Sequence, residues 1–111
     1  MLKISMEVSR GIMFIRLRGD LDNNNFNQFK TEINYLLYNQ GMKYFVLDLK
    51  DIVLEENIFL KLQNKLVEIF LNCGEVVLCG LDKSKRNKIG YAKDKLYYVN
   101  EEKEAFNYLW V

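Results

Sequence analysis

The sequence predicts an α/β fold built on a mixed, mostly parallel sheet of about five strands, opened by an N-terminal antiparallel hairpin. Three observations carry this reading. Residues 3–9 alternate apolar and polar side chains, and an Arg10-Gly11 turn joins them to a second run, Ile12–Arg18, with Met13, Ile15 and Leu17 on one face. Short, almost wholly apolar runs then follow at Tyr44–Leu49 and Val76–Cys79, the pattern of strands covered on both faces. Between and after them lie segments with apolar residues at three- and four-residue spacing, the mark of amphipathic helices. The order reads β-β-α-β-α-β-α-β-α, and strand–helix–strand repeats imply parallel crossovers.

Taken in order, Ile4, Met6 and Val8 alternate with Lys3, Ser5, Glu7 and Ser9, giving a first strand with one wet face. Gly11 supplies the positive φ of a tight turn. Ile12–Arg18 is a second strand, with Met13, Ile15 and Leu17 on one face. The polar cluster GDLDNNN follows, and one of Asn23, Asn24 or Asn25 is expected to cap a helix over residues 25–39. Phe26, Phe29, Ile33, Leu36 and Leu37 form its apolar stripe, and Gly41 suits a left-handed stop.

The next strand, Tyr44–Leu49, is interrupted only by Asp48 and runs into a short acidic loop. A second helix carries Ile58, Phe59, Leu62, Leu66, Ile69 and Phe70 and ends near Asn72-Cys73-Gly74. After the strand at Val76–Cys79, Asp82 caps a short third helix ending at Ile89-Gly90. Leu96–Val99 is the last strand. Asn100 caps a final helix with Ala105, Phe106, Leu109 and Trp110 on its apolar face, and Glu101 and Glu102 complement its dipole.

The bulk composition narrows the function classes. The 111 residues fit one domain spanning 1–111, and the 50% hydrophobic content supports a core without staples. A net charge of +1 gives no global attraction to nucleic acid or acidic lipid. No apolar run reaches the roughly 18 residues of a membrane span, and the alternating N-terminus is unlike a signal peptide. The expectation is a cytoplasmic protein without nucleic-acid or membrane partners. Two cysteines, Cys73 and Cys79, are too few for a disulfide framework or a zinc site and read as small buried hydrophobes. The absence of histidine removes the commonest general base and metal ligand. No phosphate-binding glycine motif and no nucleophile–base pair is present, so no enzyme activity, catalytic residue or cofactor is expected.

Two charged groups bear on function. The carboxylates Asp20, Asp22, Asp48, Asp51, Glu55 and Glu56 fall mostly near strand ends, where a cluster could hold Mg²⁺ or form a receiver-like phosphoryl site. Against this, a receiver opens with a buried parallel strand and paired acids, not a hairpin, and solvated loop charges explain the same residues without a metal. Lys83, Lys85, Arg86, Lys88, Lys93 and Lys95 surround the third helix with little aromatic interleaving, the pattern of a solvated basic face. Glu55, Glu56 and Asn57 open the second helix, where acids suit the dipole. Ile58 and Phe59 come early in that helix, so at least one is expected at the surface as a protein contact.

Three segments, RLRGDLDNNNF (16–26), YFVLDLKDIVLEENIFL (44–60) and GEVVLCGL (74–81), in this order and spacing, resemble the STAS domain. The closer likeness is to stand-alone bacterial anti-sigma factor antagonists of the sporulation type. The resemblance covers nearly the whole chain and implies a transcription-regulating, protein-binding module with an anti-sigma factor kinase as partner. In that family the loop before the second helix usually reads Asp-Ser-Ser-Gly, and the first Ser is phosphorylated by the kinase. Those positions correspond here to Glu56, Asn57, Ile58 and Phe59. Asn57 stands at the phospho-acceptor position and cannot take a phosphate, and no Ser or Thr lies between Thr31 and Ser84.

The resemblance further implies that the loop Asp22, Asn23, Asn24 lies beside Glu55–Phe59, and these eight residues form the expected partner-binding surface. Three outcomes stay open for the missing acceptor. The protein binds its partner constitutively, it serves as a scaffold or ligand-sensing module without a switch, or Glu55-Glu56 imitates the charged state.

Overall fold

Arg10 and Gly11 adopt φ values of 53° and 78°, the paired left-handed conformation whose twist matches an antiparallel hairpin. They join β1 (Lys3–Ser9) to β2 (Ile12–Leu21), in register from Ser9↔Ile12 to Lys3↔Arg18. In this computed structural model, which describes residues 1–89 and 96–109, β2 continues past its predicted end at Arg18. The expectations for Gly90, Tyr91, Lys93, Lys95 and Trp110 fall outside the described residues.

The remaining elements follow the predicted order. Helix α1 spans Phe26–Gln40 and stops at Gly41 with φ 65°. Strand β3 spans Tyr44–Leu54, helix α2 Phe59–Asn72, β4 Glu75–Cys79, α3 Lys83–Lys88 and β5 Tyr97–Val99. The sheet order is β1-β2-β3-β4-β5, with β1 antiparallel to β2 and every other pair parallel. Asp82 caps α3 as expected, its Oδ1 accepting the Lys85 N–H at 2.8 Å.

Two caps differ from the sequence reading. Asn25 occupies the cap position of α1 but makes no capping hydrogen bond. Its Oδ1 instead accepts the Asp22 N–H at 2.9 Å, while Asp22 Oδ1 accepts the N–H groups of Asn24 and Asn25 at 2.9 and 3.0 Å. The two side chains close the turn onto itself, so the loop is self-supporting. The final helix is a 3-10 helix, Glu102–Asn107, with Glu101 and not Asn100 at its cap. The Glu104 carboxylate accepts the Glu101 N–H at 3.0 Å, and the Asn100 side chain is spent elsewhere, its Oδ1 accepting from Arg86 at 3.4 Å.

Each face of the sheet has its own core. On one, Met13, Ile15, Leu17, Phe45, Leu47, Leu49, Val76 and Leu78 pack under α1 and α2. On the other, Ile12, Phe14, Val46, Val77, Cys79 and Val99 pack under Ala105, Phe106 and Leu109 of the C-terminal segment. Thus β2 is buried on both faces, by Met13, Ile15 and Leu17 on one and Ile12 and Phe14 on the other. Cys79 is buried as expected, and burial with the nearby Asp48 and Glu102 carboxylates pushes its thiol up to about 12. Cys73 is half-buried.

Strand β3 was predicted to end at Leu49 but runs to Leu54 across a bulge. Arg16 pairs with Asp48 and Arg18 with Asp51, so Leu49 and Lys50 together oppose Leu17. The extra residue shifts the inward phase from Phe45, Leu47 and Leu49 to Ile52 and Leu54. The Lys50 N–H donates to Asp48 Oδ1 at 3.0 Å, so Asp48 satisfies the bulge from its own strand. Gly80 lies against the bulge with φ 84°, and a Cβ there would come within 2.9 Å of the Lys50 backbone.

The same Asp48 carboxyl meets Glu102 of the C-terminal segment. Burial first, then the bond to Glu102, raises the Asp48 pKa. Glu102 is held down to about 2, chiefly by Arg16, whose Nε and second terminal nitrogen each donate to it at 2.8 Å. A protonated Asp48 donating to an ionised Glu102 fits both directions.

Because the folded pKa of Asp48 is raised, wild type carries a penalty at neutral pH that disappears as pH falls through that pKa. Asp48→Asn keeps the acceptor for Lys50 without the buried charge. Its thermal midpoint is therefore expected above wild type at pH 7, with the gap closing on acidification, as read by calorimetry. Asp48→Ala leaves the Lys50 N–H unpaired and should cost about 1–3 kcal/mol at any pH.

Candidate functional site

Beyond the bulge, β2 and β3 stay paired to Leu21↔Leu54, so both strands end at one place on the sheet rim. The Glu55 N–H donates to the Leu21 carbonyl at 3.1 Å and extends the ladder by one bond. From there the chain turns through Asp22–Asn25 into α1, and through a 3-10 turn, Glu56–Ile58, into α2.

The two loops touch as the resemblance implied. Asn23 Nδ2 donates to Glu55 Oε1 at 3.0 Å, and Lys61 Nζ of α2 donates to Asn23 Oδ1 at 2.7 Å. Glu56 is paired with Lys88 of α3 at 2.7 Å. Asn23, Asn24, Glu55, Glu56 and Asn57 are exposed, and Asp22 is half-buried because it holds the loop backbone. Asn57 lies in the middle of the 3-10 turn with its side chain open to solvent.

Ile58 and Phe59 correct the sequence reading. Neither is exposed: Ile58 is fully buried and Phe59 nearly so, both within the core under α1 and α2. The turn rotates them inward onto the stripe continued by Leu62 and Leu66, and Lys88 lies over the Phe59 ring at 5.3 Å. The apolar surface beside the loops comes instead from Val53, 64% exposed, and Leu60, 67% exposed. Both were legible. Leu60 falls off the stripe of α2, and Val53 alternates with the buried Ile52 at the end of β3. A shallow groove at the strand ends is lined by Asp20, Leu21, Asp22, Val53 and Glu55.

The other charged groups separate. Asp48 turns to the opposite face of the sheet against Glu102, Asp20 and Asp51 are exposed, and Glu55 and Glu56 have the partners given above. Among the described residues, no group of three or more His, Cys, Asp or Glu side chains is placed to hold a metal ion. Of the basic group, Lys88 is engaged with Glu56 and Phe59, and Arg86 donates to the Leu81 carbonyl while lying over the Tyr98 ring. No helix among the described residues is long and apolar enough to cross a membrane.

A family model for the STAS domain matches residues 3–90. The chain belongs to the STAS domain family. Solved structures with this fold include the unphosphorylated anti-sigma factor antagonist SpoIIAA, at TM-score 0.69 and 18% identity over 95% of this chain and 96% of that one. A putative anti-sigma factor antagonist of Thermotoga maritima superposes at TM-score 0.77 and 15% identity, covering 94% and 92%. The phosphorylated Bacillus SpoIIAA superposes at 0.66 and 16%, covering 95% and 97%. At these identities the likeness is one of fold. No curated protein sequence matches the chain.

The inward turn of Ile58 and the outward turn of Leu60 separate under truncation. Ile58→Ala should destabilise the protein by about 2–5 kcal/mol, and Leu60→Ala should stay within about 0.5 kcal/mol of wild type, measured by urea unfolding.

Proposed function

We propose that this STAS domain is a non-enzymatic, protein-binding regulator of the anti-sigma factor antagonist kind, with the loop pair at the β2 and β3 ends as its partner surface. That surface comprises Asp22, Asn23, Asn24, Glu55, Glu56 and Asn57, with Val53 and Leu60 as its apolar contacts. The observation that carries the proposal is the Asn23–Glu55 hydrogen bond, which joins two loops distant in sequence into one fixed surface. Polar groups held by such bonds lose little freedom on docking, and exposed leucine and valine beside them offer area to bury.

The switch of the antagonists is absent from this loop. A carboxamide has no hydroxyl to receive a phosphoryl group, so Asn57 leaves the surface permanently in its uncharged form at that position. The fitting partner is a kinase-type anti-sigma factor bound without phosphorylation. A scaffold role without a switch is the second reading, favoured by the lack of any Ser or Thr from Glu32 to Lys83.

Isothermal titration against a kinase-type anti-sigma factor from the same genome tests the surface. Glu56→Lys and Leu60→Ala are each expected to weaken binding about tenfold or more with the thermal midpoint little changed. Wild-type affinity in both variants would remove the surface assignment. Intact mass after incubation with the same kinase and ATP should show no added phosphate on wild type and one on Asn57→Ser. A phosphate on Ser84 of the wild-type chain would refute the reading that the switch is lost.

A further inference from the structure

Among the described residues, strand β1 stands at the end of the sheet and is bonded to β2 alone. Its pairing with β2 is continuous from Lys3 to Ser9, with no bulge and no proline to spoil the outer edge. Natural sheets guard such edges, because a row of unpaired N–H and C=O groups is a template for another strand. In a hairpin closed at Ser9↔Ile12, the backbone groups of Ser9, Glu7, Ser5 and Lys3 face β2, and those of Val8, Met6 and Ile4 face outward. The outward-bonding residues are also the apolar ones. Met6 is 38% and Val8 48% exposed, and with Tyr35 of α1, 65% exposed, they leave apolar surface along this edge.

We infer that β1 is a self-complementary edge through which two copies of this chain pair antiparallel about a two-fold axis at Ser5. The occupant is chosen by charge. Lys3 and Glu7 share one face of β1 and are equally spaced on either side of Ser5. A two-fold axis there sets Lys3 of each copy opposite Glu7 of the other, in the non-hydrogen-bonded positions where side chains come closest. Glu7 gives one carboxylate oxygen to Arg16 at 2.9 Å and keeps the other, while Lys3 has no ion pair among the described residues. The same register pairs Ile4 with Met6 by backbone hydrogen bonds and brings the two copies' Tyr35 side chains to the same face of a continuous ten-stranded sheet. A register centred on Met6 would leave Lys3 and Glu7 facing serines.

Sedimentation equilibrium of the purified chain is expected to show a concentration-dependent dimer. Lys3→Glu and Glu7→Lys should each raise the dimer dissociation constant about tenfold or more, since like charges then face each other twice. An equimolar mixture of the two variants should dimerise again, because every cross-strand pair is then of opposite charge. That recovery also shows that neither variant is merely misfolded. Met6→Pro, which removes an outward N–H that β2 does not use, should yield a monomer with an unchanged circular dichroism spectrum. A wild-type chain that stays monomeric to millimolar concentration overturns the proposal. So does a dimer that survives Met6→Pro, or a mixture of the charge variants that stays monomeric.

Discussion

The structure depends on one local interaction, the Asp48 side chain accepting the Lys50 N–H inside β3. A parallel strand that inserts an extra residue would ordinarily leave that amide without a partner in the sheet. With the amide satisfied, β3 keeps pairing with β2 after the bulge and both strands reach the rim together. The loop pair exists because of this. If β3 ended at Leu49, Glu55 would have no reason to lie beside Leu21 and Asn23. The cost is a buried carboxyl held against Glu102, whose own charge is fixed by the Arg16 fork. One side chain therefore sets the strand phase, positions the rim and fastens the C-terminal segment.

At the rim, rigidity and display are divided between neighbouring residues. Ile58 and Phe59 anchor the start of α2 in the core, while Asn57 and Leu60 on either side of them face outward. Lys61 and Lys88 each bind a loop side chain with the ammonium and lie near a phenylalanine ring, so the charged groups also shield the core edge. The turn into α2 thus displays Asn57 from a rigid platform.

Most of the fold was legible because its signals are local. Hairpin, element order, the Gly41 stop and the Asp82 cap each follow from a few adjacent residues. What the sequence concealed depended on tertiary partners. The polar pair Lys50-Asp51 resembles a loop until Gly80 is known to make room for a bulge beside it. Asn25 resembles a cap until Asp22 is seen to occupy its side chain. The face of β2 that carries Phe14 has no assigned cover until Phe106 packs on it at 5.9 Å between centroids. At the rim, the resemblance implied that the two polar loops lie side by side, and the Asn23–Glu55 bond joins them. The apolar residues were misassigned, because the turn into α2 sets the phase of Ile58 and Phe59 and is invisible to helical spacing alone.

The two faces of the sheet are covered unequally. Two helices of 15 and 14 residues lie on one side, and a six-residue 3-10 helix with its flanking residues on the other. A short 3-10 helix has poorly aligned internal hydrogen bonds and little apolar area to bury. Its attachment relies on Ala105, Phe106 and Leu109 and on the Arg16–Glu102 fork. Amide exchange should therefore be graded through the thickness of the molecule. The C-terminal layer forms a separate opening unit of lower free energy, and the β2–β3 ladder beneath α1 and α2 exchanges only through global unfolding.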